Sequence, residues 1–113
     1  MPYSMLLMLP RRPDLTPEQF REHYENGHVP LINSLCEDPN LRPILYKRTY
    51  FVAELMGPSG YDCVTEMQFR DQEHFQRYAA VMQAPETKVK IEEDEGKFLK
   101  RDGVKMVIVD PVQ

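Results

Sequence analysis

Apolar and polar positions follow two different periods along this chain, and each change of period marks an element. The run from Tyr3 to Leu9 is almost wholly apolar and ends at Pro10, which is typical of a strand covered on both faces. A helical pattern begins at Pro17, where Thr16 supplies an N-cap and Gln19 completes a capping box. The first two predicted elements are therefore a strand and a helix.

The predicted helix carries a phenyl ring, a phenol and an imidazole on one face. Phe20, Tyr24 and His28 follow one another at four-residue spacing. Gly27 is a poor helix former, and Pro30 biases the residue before it away from the helical region. We therefore expect this helix to end near Gly27, with a second short helical turn opening at Pro30.

The middle of the chain predicts two more strands. Residues 44 to 53 are dense in aromatic and β-branched side chains. Residues 61 to 69 alternate with a period of two, so that one face is apolar while Asp62 and Glu66 lie on the other. This second strand is expected to turn a polar face away from the core.

The last third of the chain predicts a helix, a charged helical turn and a final strand. Asp71 is placed to cap a helix with apolar residues at helical spacing. The acidic run from Glu92 to Glu95 precedes Lys97, Lys100 and Arg101, which is the order that the dipole of a short helix favours. We interpret that run as a solvated face, and residues 103 to 109 as the last strand.

The order strand, helix, strand, strand, helix, strand is the split βαβ pattern of a ferredoxin-like α+β fold with a four-stranded antiparallel sheet. One domain covering residues 1–113 is expected from the length. Both helices must then cover the same face of the sheet, which leaves the other face bare. Two copies pressing their bare faces together would hide this surface, so a homodimer is predicted.

Composition excludes several classes of function. The formal net charge of −4 comes from 18 acidic and 14 scattered basic residues, so nucleic acid is not an expected partner. The longest apolar run is far shorter than the ~20 residues that span a membrane, and no signal-like leader precedes it. With only Cys36 and Cys63 present, we expect reduced thiols and a cytoplasmic protein.

His28 and Tyr24 are the first candidates for chemistry. A histidine with an ordinary pKa near ~6.5 can act as an acid or a base at neutral pH, and a phenol one turn away can orient it or bind a substrate oxygen. A purely structural alternative is that His28 stabilises the end of a helix through the dipole.

A second group of candidates lies on the predicted strands. If a dimer buries the bare face, the carboxylates of Asp62 and Glu66 lose their hydration at a cost in free energy. Buried charges of this kind are often found at functional sites, so both residues are candidates. Tyr46, Arg48 and Tyr50 share one face of the preceding strand and can contribute to the same cavity, although cross-strand pairing is the simpler interpretation of Tyr50. We expect the Tyr24 and His28 helix face and the Asp62 strand face to form two walls of one pocket.

No metal, nucleotide or other cofactor is predicted. His23 and His28 are five residues apart, about 140° around an α-helix, which is too far to hold one ion. The glycines match no phosphate-binding or dinucleotide fingerprint. A nucleophilic pair of Cys63 with His28 is weak, because Cys63 has the parity of the helix-covered strand face.

Several segments of the chain resemble the EthD domain family of the dimeric α+β barrel superfamily. They are the run from Arg11 to Phe20, Tyr24 with the His28-Val-Pro-Leu31 segment, Tyr61-Asp62 followed by Glu66 and Phe69, and Glu93-Asp-Glu95 before Phe98. Cys63 stands where the family often has glycine, and Gln68 where tryptophan is common.

The resemblance implies a dimer with a cavity between sheet and helices in each subunit, and His28 facing that cavity. The family includes muconolactone methylisomerases and fungal decarboxylases or dehydratases of aromatic polyketide pathways. Its wider superfamily includes cofactor-free monooxygenases and polyketide cyclases.

The predicted function is a cofactor-free lyase, either a decarboxylase or a dehydratase, or an isomerase acting on an aromatic or polyketide intermediate. His28 and Asp62 are the predicted catalytic residues, and Tyr24, Tyr46, Glu66 and Tyr50 the predicted substrate-binding residues. A cofactor-free monooxygenase, a polyketide cyclase and a non-catalytic small-molecule binding protein are the alternatives.

Overall fold

The computed structural model describes residues 2–112, which form a four-stranded antiparallel sheet with helices on one side. The strands are β1 (Tyr3–Leu9), β2 (Leu45–Tyr50), β3 (Cys63–Phe69) and β4 (Lys105–Val109). The helices are α1 (Pro17–His23), α2 (Val29–Leu35), α3 (Gln72–Gln83) and α4 (Pro85–Glu95), and a π-helical turn (Tyr24–His28) joins α1 to α2. The sheet order β2-β3-β1-β4 confirms the predicted ferredoxin-like fold.

Side-chain caps set the predicted starts of two helices. Thr16 Oγ1 accepts a hydrogen bond from the Gln19 N–H at 3.1 Å, and the Gln19 side-chain oxygen accepts one from the Thr16 N–H at 2.8 Å. The Asp71 carboxylate accepts a bond from the His74 N–H at 2.8 Å. Each cap satisfies backbone donors that the first turn leaves without a partner, which confirms both predicted helix starts.

The first helix does not end near Gly27, and that prediction is wrong. α1 widens into the π-helical turn, in which the Val29 N–H bonds to the Tyr24 carbonyl, and α2 continues the helix. Pro30 lies in the first turn of α2, where a missing N–H is tolerated. A Cβ at position 27 would meet the His23 ring at 3.4 Å, an ordinary van der Waals distance, so packing does not require glycine there.

The acidic run lies at the end of a helix rather than at its start. α4 extends from Pro85 to Glu95, so the run occupies its last turns, where the dipole disfavours negative charge. Asp94 is buried within this run. The predicted short helix with a wholly solvated acidic face is therefore wrong, and nearby histidines account for the buried carboxylate.

The alternation predicted for β3 is confirmed, and it decides what each face of the sheet contacts. Cys63, Thr65, Met67 and Phe69 are buried under the helices, with the residues between them half-buried on the opposite face. α1 with the π-helical turn packs on one half of this core, and α3 packs on the other half. Both helical layers therefore cover one face, and Glu66 points away from them.

Two other expectations concern cysteines and membranes. Cys36 and Cys63 are both buried free thiols. Within residues 2–112, no helix combines the length and apolar character that crossing a bilayer requires. A location in the cytoplasm stays a prediction.

Candidate functional site

A cavity of about 320 Å³ lies between the helices and the sheet. Helix-facing side chains of the sheet, among them Met5, Leu7 and Met67, line it with apolar surface. Its other lining residues include the rings Tyr24, His28, Tyr46, Tyr78 and Phe98 and the polar or charged residues Gln83, Lys88, Glu95 and Arg101. Gln83, Lys88 and Arg101 are exposed, so the cavity has a largely apolar interior and a polar mouth.

The imidazole of His28 is held by a buried carboxylate. His28 Nδ1 lies 2.7 Å from Asp94 Oδ2. Burial would raise the pKa of Asp94, but hydrogen bonds and charge from His28 and His23 hold it below its ordinary value. The ionised carboxylate can only accept, so the Nδ1–H of His28 donates. Nε2 then carries the free lone pair, and it has no hydrogen-bond partner within residues 2–112.

The His28 imidazole is neutral at neutral pH. Burial lowers its pKa below the ordinary value of 6.5, and the hydrogen bond and charge of Asp94 only partly oppose that effect. A neutral imidazole with a free lone pair at an apolar cavity is a proton acceptor.

We predict that His28 titrates below pH 6.5 in the folded protein. Because the folded state binds this proton less tightly than the unfolded chain, stability falls as the pH drops from about 6.5 through the folded pKa. An NMR titration of the histidine ring protons, with His28→Gln to assign the signal, measures this shift. A His28 pKa above 6.5 would contradict it.

His23 binds the other oxygen of the same carboxylate. Its Nε2 lies 3.1 Å from Asp94 Oδ1. The predicted separation of His23 and His28 around the helix is wrong, because π-helical hydrogen bonds join residues five apart and bring such pairs to one side. Across residues 2–112, no group of three potential ligands is arranged to hold a metal ion.

Two phenols stand beside His28. The Tyr24 hydroxyl lies 2.6 Å from Thr65 Oγ1, and the Tyr24 ring meets the His28 ring edge to face at 5.8 Å. Burial raises the pKa of Tyr24 and of Tyr46, so both phenols stay protonated and are able to donate a hydrogen bond. The Arg48 guanidinium lies 4.9 Å from the centre of the Tyr46 ring and makes a cation–π contact with it.

The structure does not bring Asp62 and His28 into one pocket, and that prediction is wrong. The Asp62 carboxylate accepts bonds from the Arg11 backbone N–H at 2.7 Å and from Arg11 Nε at 3.3 Å. Asp62 lines a second depression with Phe20 and Tyr50. The two predicted walls separate because Asp62 lies just before the first residue of the inner strand β3, at one end of the sheet, whereas His28 lies over the helix-covered face.

Two of the predicted binding residues also lie away from the cavity. Glu66 is on the face that the helices leave bare, in register with Lys47. Tyr50 donates a hydrogen bond to Glu25, whose carboxylate also accepts from Arg48 Nε at 2.9 Å and Nη2 at 2.8 Å. Tyr50 therefore belongs to a hydrogen-bonded network with Glu25 and Arg48, which are not among the residues that line the cavity.

Asp94 is the functional candidate that the sequence prediction missed. Its neighbours Ile91 and Phe98 lie three and four residues away and are at least half-buried. This spacing places Asp94 on the apolar side of α4, which was the available signal. The surrounding acidic residues concealed it, because a run of charges is usually solvated.

Fold and cavity together define a ferredoxin-like α+β domain with a carboxylate-held histidine at an apolar cavity. The chain belongs to the EthD domain family, whose family model matches residues 12–102, and the resemblance seen in the sequence is confirmed. A search of curated proteins finds no match to it.

Solved structures of similar fold include an ethyl tert-butyl ether D (EthD) family protein from Bacillus halodurans. It is 29% identical with a TM-score of 0.65, and the match covers 97% of this chain and 99% of that one. A hypothetical protein of Arabidopsis thaliana is 21% identical with a TM-score of 0.65, over 99% and 89% of the two chains. A dimeric protein of unknown function from Bacteroides fragilis is 11% identical with a TM-score of 0.62, over 97% and 96%.

Proposed function

We propose that this chain is a cofactor-free lyase or isomerase that moves protons on an aromatic or polyketide-like small molecule. The observation that carries the proposal is the 2.7 Å contact between His28 Nδ1 and Asp94, which leaves Nε2 free beside an apolar cavity. A histidine oriented by a carboxylate is a recurring arrangement of general bases.

In the proposed step, His28 Nε2 takes a proton from a carbon next to a carbonyl. The C–H electron pair moves onto the carbonyl oxygen and forms an enolate, while Asp94 stabilises the imidazolium. Tyr46 lines the cavity as a protonated phenol and donates a hydrogen bond to the enolate oxygen. The contact between Tyr24 and Thr65 holds this part of the cavity wall in place.

The lining indicates the kind of molecule that the cavity takes. Methionine and tyrosine side chains provide a polarisable surface, and about 320 Å³ suits a compact ring system rather than a long chain. A planar aromatic ketone would fill this space and place its polar atoms near His28 and Tyr46.

Deuterium exchange tests the proposal without knowledge of the natural substrate. The probe is 2-tetralone in D₂O, and ¹H NMR follows the loss of the protons next to its carbonyl. We expect the protein to accelerate this loss well above the buffer rate. Binding of 2-tetralone without exchange would favour the non-catalytic binding protein, and oxygen uptake during turnover would favour the monooxygenase.

We also propose that the bare face of the sheet forms a homodimer. Leu6 and Val107 pair in register on the β1 and β4 half of this face, and Val107 is 45% exposed. Glu66 and Lys47 lie beside them as register partners of opposite charge. Exposed apolar side chains beside a pair of opposite charges suit an interface between two copies, and the Bacteroides fragilis protein of this fold is described as dimeric.

The double substitution Leu6→Lys with Val107→Lys is expected to convert the dimer into a monomer, because four lysines would meet at the interface. Light scattering after size exclusion should then give 13.3 kDa instead of twice that mass. Val89→Lys is the matched control, since Val89 is 62% exposed on α4. A wild-type protein that is already monomeric would contradict the proposal.

A further inference from the structure

Asp94 and Glu95 are neighbours at the end of α4, but their side chains lie in different surroundings. Asp94 binds His23 and His28 behind the cavity, whereas Glu95 lines the cavity itself. The last turn of α4 therefore brings two carboxyl groups, those of Glu92 and Glu95, to the space that His28 faces.

The Glu95 carboxyl is not held in a tight ion pair. Its Oε1 lies 3.5 Å from Arg101 Nε, whereas Arg101 Nη2 makes a shorter contact of 2.8 Å with Glu92. The Glu95 side chain is 27% exposed, and burial raises its pKa above the ordinary value of 4.5, with Arg101 in opposition. Glu95 can therefore carry a proton at a higher pH than an exposed glutamate.

We infer that Glu95 is the second proton-transfer group of this cavity, a carboxylic acid that protonates a leaving oxygen while His28 removes a proton from carbon. This inference rests on the proposed function and deepens it. It narrows the reaction to elimination and the substrate to a cyclic β-hydroxy ketone, whose ring becomes aromatic when water leaves.

The step balances without any further reactant. His28 Nε2 takes the proton from the carbon next to the carbonyl, and the C–H electron pair enters the enolate. When the enolate collapses, a C=C bond forms, the bond from the β-carbon to oxygen breaks, and the Glu95 proton moves to that oxygen to give water. The site ends as an imidazolium and a carboxylate, and proton exchange with solvent at the cavity mouth restores both groups.

Burial shifts both groups towards their uncharged forms, which are the forms that a base and an acid on one cavity need. His28 is kept neutral by burial, and Glu95 is shifted towards its protonated form by burial. Because both groups line one cavity, one substrate can lose a proton to His28 and receive one from Glu95 in the same binding event.

Two probes that differ only in the leaving group test the role of Glu95. 3-Hydroxy-1-tetralone loses water to give 1-naphthol, which fluoresces, and needs an acid at its leaving oxygen. 3-Acetoxy-1-tetralone gives the same product, but acetate leaves without protonation. Glu95→Gln is expected to raise the acetoxy-to-hydroxy rate ratio by about 100-fold or more, the usual scale for a general acid. Glu95→Asp should restore part of the loss.

Glu86→Gln is the matched control, because Glu86 is exposed on α4 and is not among the residues that line the cavity, so it should leave the ratio at its wild-type value. A Glu95→Gln protein with an unchanged ratio would overturn the inference, and so would a wild type that exchanges 2-tetralone but eliminates from neither probe. A wild type with no 2-tetralone exchange marks the failure of the proposed function instead.

Discussion

Replacing His28 by alanine is expected to slow the deuterium exchange of 2-tetralone by at least about 100-fold, the typical contribution of a general base. The reason is geometric, since the Nδ1–H of His28 is committed to Asp94 at 2.7 Å and Nε2 is the atom left to accept a proton. Tyr24 and Tyr46 cannot replace it, because burial raises the pKa of both phenols and keeps them protonated.

His74→Gln is the control for the loss of a buried histidine. His74 is 3% exposed and binds the Arg70 backbone N–H at 3.0 Å and the Leu41 carbonyl at 2.9 Å, away from the cavity lining. Its replacement should lower the melting temperature without a specific loss of exchange. A folded His28→Ala protein with full exchange activity would refute the assignment of His28 as the base.

The second large effect is expected from Asp94→Asn, which should reduce exchange by about 100-fold or more while keeping the side-chain shape. The amide nitrogen of asparagine can donate to Nδ1, which would move the His28 proton to Nε2. The lone pair that accepts the substrate proton would then be lost. His23, 3.1 Å from the other carboxylate oxygen, would lose its charged partner at the same time.

¹⁵N NMR of the His28 ring separates this effect from simple destabilisation. We expect the Nε2–H tautomer in Asp94→Asn and the Nδ1–H tautomer in the wild type. Glu93→Gln is the matched control, because Glu93 is exposed on the same turn of α4. If the tautomer and the exchange rate both stay at wild-type values, Asp94 has only a structural role.

Helix starts and strand faces were predictable because short-range chemistry decides them. The Thr16 and Gln19 capping box needs only residues three apart, and the alternation of β3 follows from backbone geometry. The end of the first helix was not predictable in this way. Gly27 and Pro30 disfavour a helix locally, yet tertiary packing continues it through a π-helical turn.

The candidate site likewise has one part that local sequence predicts and another part that depends on tertiary packing. Tyr24 and His28 were predicted from their spacing, and both line the cavity. Their partner carboxylate was misassigned to Asp62, since two acidic positions in different elements look equivalent until the chain is folded. The register of β3 and the packing of α4 choose between them, and they bring Asp94 to His28 across 66 residues of sequence.

The sequence by itself determined the ferredoxin-like order of elements, the buried face of the sheet and the helix that carries Tyr24 and His28. These features depend on periodicity and on contacts between near neighbours. Only the tertiary structure decided that His23 and His28 share Asp94 and that Glu95 faces the cavity. Those contacts join residues from distant segments, and local preferences carry no information about which distant side chains will meet.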